Sequence, residues 1–266
     1  MPLDYKRYSE NLDISWYDHI LTIALDNPPM NTNTDAIHKS LTQIWDDVGD
    51  DEDVNVVIFT GKGRAFSAGG DVIGMQHTID HPETWWHTMV EAKKIIHRML
   101  ECEKPIVARV NGHAVGFGCT IALACDIIVA SEKAKFGDPH VNAGMVAGDG
   151  GSLLWPQAIG FPRAKEFLLL GDLISATRAA EIGLINYAVP PEELDAKVDE
   201  IAGRLNRGAP RSIRWTKQLV NQPLRQLAQS MMDIGMATET LTVFQDEHRE
   251  AVAAFAEKRD PVFKKD

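Results

Sequence analysis

Two segments place glycines where backbone amides can do chemistry: GKGRAFSAGGD at residues 61–71 and NGHAVGFG at residues 111–118. Each follows a run of apolar, largely β-branched residues. Turns of this kind, with a helix starting behind them, leave N–H groups without intrahelical partners and directed into a crevice. Two such turns side by side can hold the oxygen of a polarised carbonyl. Taken singly, the same glycines serve only to turn a strand into a helix. A second pair of residues carries acid–base chemistry. His140 follows Pro139, and Asp149 stands between glycines nine residues later, in GMVAGDGG. A histidine is a general base near neutral pH, and a carboxylate on its other ring nitrogen fixes the tautomer and stabilises the imidazolium. Asp149 has a plainer alternative as the cap of a helix starting at residues 150–152.

Other chemistries lack their residues. There is no GxxxxGK[ST] phosphate loop, no HExxH helix and no GxSxG elbow. The nine histidines, at 19, 38, 77, 81, 87, 97, 113, 140 and 248, show no metal-ligand spacing, so no metal is expected. His77, His81 and His87 read as a solvated loop and helix start, His113 as a strand-end histidine and Ser67 as a turn hydroxyl. Met75, Trp85 and Trp86 suit either a pocket wall or core packing. Cys102, Cys119 and Cys125 form no CxxC pair and read as small packing residues in a reducing compartment. Acidic residues outnumber basic ones, 38 to 27, for a net charge of −11, which makes nucleic acid a poor partner. The densest basic stretch, residues 204–217, reads as a helix face or subunit contact. The N-terminus lacks the basic start and apolar stretch of a signal peptide. The longest apolar run, residues 119–130, is cut by Asp126 and falls short of the ~18–20 residues of a membrane span. The chain reads as soluble and cytoplasmic.

The elements that must position these residues follow from periodicity. With 266 residues, 44% apolar and 24% charged, the chain can build a large core. ILTIAL (Ile20–Leu25), residues 54–60, Ile106–Val110 and residues 126–130 read as buried strands. A helix capped by Thr34 or Asp35 carries Ile37, Leu41, Ile44, Trp45 and Val48 on one face. Another spans residues 83–100. Strands alternating with helices argue for parallel pairing and an α/β layer architecture. Beyond about residue 162, helical patterns dominate: 162–170, 177–182, 191–206 and 223–258, with one short strand at 185–189. The expected organisation is an α/β core over residues 1–200 and a helical C-terminal region over 201–266.

GRAFSAGGDV, NGHAVGFGCTIALACDIIVAS and KAKFGDPHVNAGMVAGDGGSLLWPQAIG, in that order, resemble the three signature segments of the enoyl-CoA hydratase/isomerase (crotonase) family. The resemblance extends from LDNPPMN to AFAEKRDPVFKK. It implies a spiral of ββα turns, followed by helices that build a homotrimer or a dimer of trimers. It also implies an acyl-CoA substrate whose thioester carbonyl lies between two backbone N–H donors, which stabilise an enolate. Fixed donors of this kind contribute roughly 3–4 kcal/mol each in related sites. The matching positions are Ala68 and Phe117. The family usually has glycine at the second, and Phe117 keeps the N–H but adds a side chain.

Family hydratases carry two glutamates that handle the water. Their matching positions here are Thr120 and His140, so the resemblance gives Thr120 no protonation role and makes His140, assisted by Asp149, the acid–base group. Coenzyme A enters only as part of the substrate, held by backbone near Met30, Ala65 and Ala68 and, at the adenosine end, by Phe255 and Lys258. Lys258 otherwise reads as part of a solvated helix face. No separate cofactor is implied. Residues 137–171 also resemble the crotonase-fold β-diketone hydrolases, which break carbon–carbon bonds with a His and Asp pair. The expected function is hydration, isomerisation or a related lyase step on an acyl-CoA. The alternatives are carbon–carbon or thioester hydrolysis by His140-activated water and, from another class, a non-catalytic CoA- or RNA-binding protein.

Overall fold

The computed structural model describes residues 3–70 and 72–264. Near its start, β1 (Leu12–Tyr17) and β2 (Ile20–Leu25) pair antiparallel, with Tyr17 opposite Ile20. Asp18 and His19 between them both have positive φ, 46° and 61°, as in the two-residue turns whose twist suits a hairpin. β1 is not among the sequence expectations because Leu12 alone of its six side chains is fully buried. An edge strand of this kind shows no apolar run.

Thr34 caps α1 (Asp35–Asp50), its hydroxyl accepting from the Ile37 N–H at 3.3 Å. The stripe Ile37, Leu41, Ile44, Trp45 and Val48 is buried as its spacing predicts, at roughly 1.5–3 kcal/mol per side chain. A repeat then begins: β3 (Val56–Gly61), β4 (Ala65–Ser67), α2 (Val72–Asp80) and α3 (Trp85–Glu101). It continues as β5 (Ile106–Val110), β6 (His113–Val115) and α4 (Phe117–Leu123), then β7 (Ile127–Ser131) and β8 (Lys135–Gly137). The helices α5 (Gly151–Ile159) and α6 (Phe161–Leu170) follow, then β9 (Ile174–Ser175), α7 (Ala176–Glu181) and β10 (Tyr187–Val189). The chain closes with α8 (Leu194–Asn206), α9 (Pro210–Val243) and α10 (Asp246–Glu257).

The first strand of each pair joins a six-stranded sheet of order β1-β2-β3-β5-β7-β10, and the second joins a four-stranded sheet of order β4-β6-β8-β9. From β2 to β10 every pairing in the large sheet is parallel, as are β4·β6 and β6·β8 in the small one. Each expected strand-to-helix turn therefore contains a second short strand, which makes the ββα turn the resemblance implies. α8 covers one face of the large sheet with Leu194, Val198, Ile201 and Ala202. The opposite face packs into the main core with α1 and α3. Burial on both faces suits its parallel strands.

Two helix expectations change. The helix expected over residues 83–100 is α3, which starts two residues later because a 3₁₀ turn at Pro82–Thr84 separates it from α2, proline being unable to continue the hydrogen-bond ladder. The stretch with His77 is helix α2 rather than loop. Pro223 does not start a helix either but lies inside the 34-residue α9. One turn earlier Leu219 is exposed, so water can take the carbonyl that proline leaves unpaired. The pattern expected over 223–258 breaks at Phe244, and α10 ends with Lys258 in the left-handed region, φ 56°. Among the described residues no helix is long and apolar enough to cross a membrane.

Candidate active site

Because β4, β6 and β8 are parallel neighbours, their C-terminal ends open at one edge of the small sheet. That edge delivers Ala68, Phe117 and His140 to the wall of a single cavity of about 210 Å³. The loop before α5 adds Asp149, and α1, α3, α9 and α10 add His38, Trp85, Glu239 and His248. The volume lies below the ~300–1,000 Å³ of drug-sized ligand sites, which suits a small reacting group.

His140 sits between two carboxylates. Its Nδ1 is hydrogen-bonded to Asp138 Oδ1, and its Nε2 lies 3.3 Å from Asp149 Oδ2. Asp149 therefore does not orient the ring through the far nitrogen, as expected from sequence. Asp138, two residues before His140 and anchored on β8, does that, and Asp149 faces the opposite nitrogen. The Thr120 hydroxyl donates to Asp149 Oδ1 at 3.2 Å, so Thr120 has a role in the site after all. Asp149 also accepts from the Gly151 N–H, at the first turn of α5, so its pocket and helix-start roles coexist. Gly151 is required by sterics: a Cβ there would stand 1.8 Å from Asp138 Oδ2.

These contacts set the charges. Burial would lower the His140 pKa, but the charges and hydrogen bonds of Asp138 and Asp149 outweigh it and raise it well above the usual value. Burial would raise Asp149, but the His140 charge and the hydrogen bonds from His140, Thr120 and Gly151 bring it below the usual carboxylate range. Both directions favour an ion pair, an imidazolium beside a carboxylate, which can take a proton on Asp149 and give one from His140 Nε2. Asp138, His140 and Asp149 also offer ligand atoms within 4.8 Å of one another, a grouping that histidine spacing does not show. Each ring nitrogen already faces its own carboxylate, and a metal would have to break one of those contacts.

The two expected amide donors differ. The Ala68 N–H donates to the Met30 carbonyl at 3.0 Å and does not face a substrate oxygen. The Phe117 N–H is the first amide of α4 and has no acceptor within the helix. The phenyl ring packs on His38, centroid to centroid 4.9 Å. Met30 and Ala65 do not line the cavity. The Met30 carbonyl is engaged by Ala68, and that of Ala65 accepts from the side chains of Asn31 and Asn111. Phe255 and Lys258 lie outside the cavity at the end of α10, with Phe255 exposed.

Among the other sequence candidates, Met75 and Trp85 line the cavity and Trp86 is exposed. The Ser67 hydroxyl donates to the Asn31 carbonyl at 2.7 Å, and His113 Nδ1 accepts from the Lys135 N–H. All three cysteines are buried free thiols. Four side chains at the site are not candidates from sequence: Asp138, His38, Glu239 and His248. The buried Glu239 accepts from the Gly148 N–H at 3.1 Å. Burial and the Asp149 charge raise its pKa well above the usual carboxylate value. Sequence does hold a signal for it. Met232, Met236, Glu239 and Val243 share one buried face of α9, and a carboxyl in an apolar stripe is uncommon unless it is used or paired.

The enoyl-CoA hydratase/isomerase family model matches residues 16–266. The chain belongs to the enoyl-CoA hydratase/isomerase family. Among its relatives, a crotonyl-CoA hydratase from Syntrophomonas wolfei is 34% identical over 91% of this chain and 94% of its own length. Two solved structures are similar to the chain. An enoyl-CoA hydratase/isomerase from Mycobacterium paratuberculosis superposes with a TM-score of 0.87 at 32% identity, covering 91% of this chain and 97% of the other. A β-diketone hydrolase from the cyanobacterium Anabaena, bound to (S)-3-oxocyclohexyl acetic acid, gives 0.83 at 32% identity, covering 91% and 98%. Membership of the enoyl-CoA hydratase/isomerase family supports an acyl-CoA substrate, and the crotonase fold expected from the signature segments is the fold observed.

Proposed function

We propose that this enoyl-CoA hydratase/isomerase-family enzyme hydrolyses the carbon–carbon bond of a 1,3-dicarbonyl compound. The second carbonyl is a ketone or, as in a β-ketoacyl-CoA, a thioester. The observation that carries this is the His140–Asp149 pair: Nε2 and carboxylate 3.3 Å apart, with the far nitrogen held by Asp138. Hydration by the family's paired carboxylates needs two of them around one water, and here an imidazolium replaces one and a threonine the other.

Asp149 takes a proton from water as the oxygen attacks one carbonyl. The tetrahedral oxyanion collapses, the bond to the central carbon breaks, and its electron pair becomes the enolate of the second carbonyl. His140 Nε2–H protonates that carbon, and the proton on Asp149 returns to the ring. The products are a carboxylic acid and a ketone or shorter thioester. A raised histidine pKa suits this order of events, because the ring must hold a proton when the carbanion forms.

The match to crotonyl-CoA hydratase favours a second reading, in which the same pair adds water to an enoyl-CoA. Mass spectrometry of products from heptane-3,5-dione, a β-ketoacyl-CoA and crotonyl-CoA separates the two. Cleavage gives two molecules, propionate and butanone from the diketone. Hydration gives one molecule heavier by a water. Crotonyl-CoA hydrated faster than either dicarbonyl is cleaved would overturn the hydrolase assignment.

A further inference from the structure

We propose that His38 is a catalytic residue of this site, donating a hydrogen bond from Nε2 to the oxygen of the carbonyl whose carbon water attacks. The proposal rests on the hydrolase assignment for its substrate and on independent geometry for the donor.

His38 lies on the first turn of α1, is 6% exposed and lines the same cavity as His140 and Asp149. Its Nδ1 is sealed in protein with no hydrogen-bond partner. Its Nε2 has no protein partner among the described residues and is the edge of the ring left to the cavity. A neutral imidazole carries one proton. An orphaned N–H is rarer and costlier than an under-satisfied acceptor, so the proton belongs on Nε2 and the lone pair on the sealed Nδ1. Phe117 packs against the ring and holds its plane.

The ring is neutral at working pH. Burial lowers its pKa to about 4, with Asp149 from the loop before α5 and Asp35 from its own helix pulling weakly the other way. The remaining titratable groups on the cavity wall are His140, Glu239 and His248. A buried donor without an acceptor is costly to keep. A substrate carbonyl between His38 and the His140–Asp149 pair would satisfy it. It would also supply what the Ala68 amide does not, since that N–H is taken by Met30. The Phe117 amide and His38 would then form the oxyanion site.

The test combines ring ¹⁵N NMR with two variants. In the wild type His38 should show a protonated Nε2 and a bare Nδ1. Cyclohexanone, which has the carbonyl but no bond to cleave, should shift the Nε2 signal. His38→Phe keeps the packing and removes the donor, so kcat for heptane-3,5-dione should fall about 100-fold, as for other oxyanion donors, with little change in KM. His38→Gln, whose amide nitrogen reaches as far as Nε2, should restore about tenfold of that loss. Proton on Nδ1, no shift with cyclohexanone, or full kcat in His38→Phe would each overturn the role of His38 while diketone cleavage stands. The expected tautomer and shift without cleavage of any dicarbonyl would uphold the donor and defeat the hydrolase assignment.

Discussion

At the scale of single residues, the proposed function rests on His140, held by Asp138 at Nδ1 and facing Asp149 at Nε2. His140→Ala should lower kcat by about 10²–10⁴-fold, the usual contribution of a general acid–base group, with KM nearly unchanged. Asp149→Asn should cost nearly as much, because it removes the proton acceptor. The double variant should be little worse than either single one, since groups acting as a unit fail together. Thr120→Val removes a hydrogen bond to a charged group, worth about 1.5 kcal/mol, and should slow turnover about tenfold.

His140 and His38 give stability opposite pH dependences. His140 is raised in the folded state. Its contribution is fully present below the unfolded value near 6.5 and is lost as pH rises through the folded one. His38 is lowered to about 4, so the unfolded chain binds the extra proton between that value and about 6.5, and stability falls as pH drops across that window by roughly 3 kcal/mol. Denaturant titrations at several pH values should show this acid-side loss in the wild type and a smaller one in His38→Phe, where the lowered His97 and His248 still contribute.

At the scale of elements, the cavity depends on a close approach between α9 and the loop before α5. A Cβ on Gly148 would stand 2.2 Å from the Gly235 carbonyl, and one on Gly235 would stand 2.5 Å from that of Gly148. This contact seats Glu239 against the loop. Gly235→Val should destabilise the fold by about 1–3 kcal/mol, as overpacking does, read as a lower urea midpoint, and should lower kcat by displacing Glu239. Sequence periodicity shows β2, β3, β5 and β7 because each is a buried run of β-branched residues. It hides β4, β6 and β8 because a strand of three residues is too short to display an alternation. The glycine turns, His140 and Asp149 are legible because their chemistry sits in local sequence. His38 and Glu239 are written as members of the apolar stripes of α1 and α9, and only tertiary packing brings those stripes to one cavity. The Met30–Ala68 hydrogen bond has no sequence signature, which is why the amide looked available.

At the scale of the whole molecule, the outer surface of α9 is unusually apolar for a chain with a net charge of −11. Trp215, Leu219, Val220, Ile234 and Leu241 are all exposed along it, more apolar surface than isolated exposed side chains account for and the kind that a subunit contact would cover. Sedimentation should give a particle three times the 29.4 kDa mass of one chain, or six times for a dimer of trimers. A monomer at micromolar concentration would contradict this. The central claim, that His140 and Asp149 drive a hydrolytic cleavage, is tested most directly by turnover of heptane-3,5-dione in H₂¹⁸O by the wild type and by His140→Ala. The wild type should release propionate carrying one ¹⁸O together with butanone, and the variant should release almost none. Equal cleavage by the variant, or no cleavage by the wild type under conditions where it hydrates crotonyl-CoA, would contradict the claim.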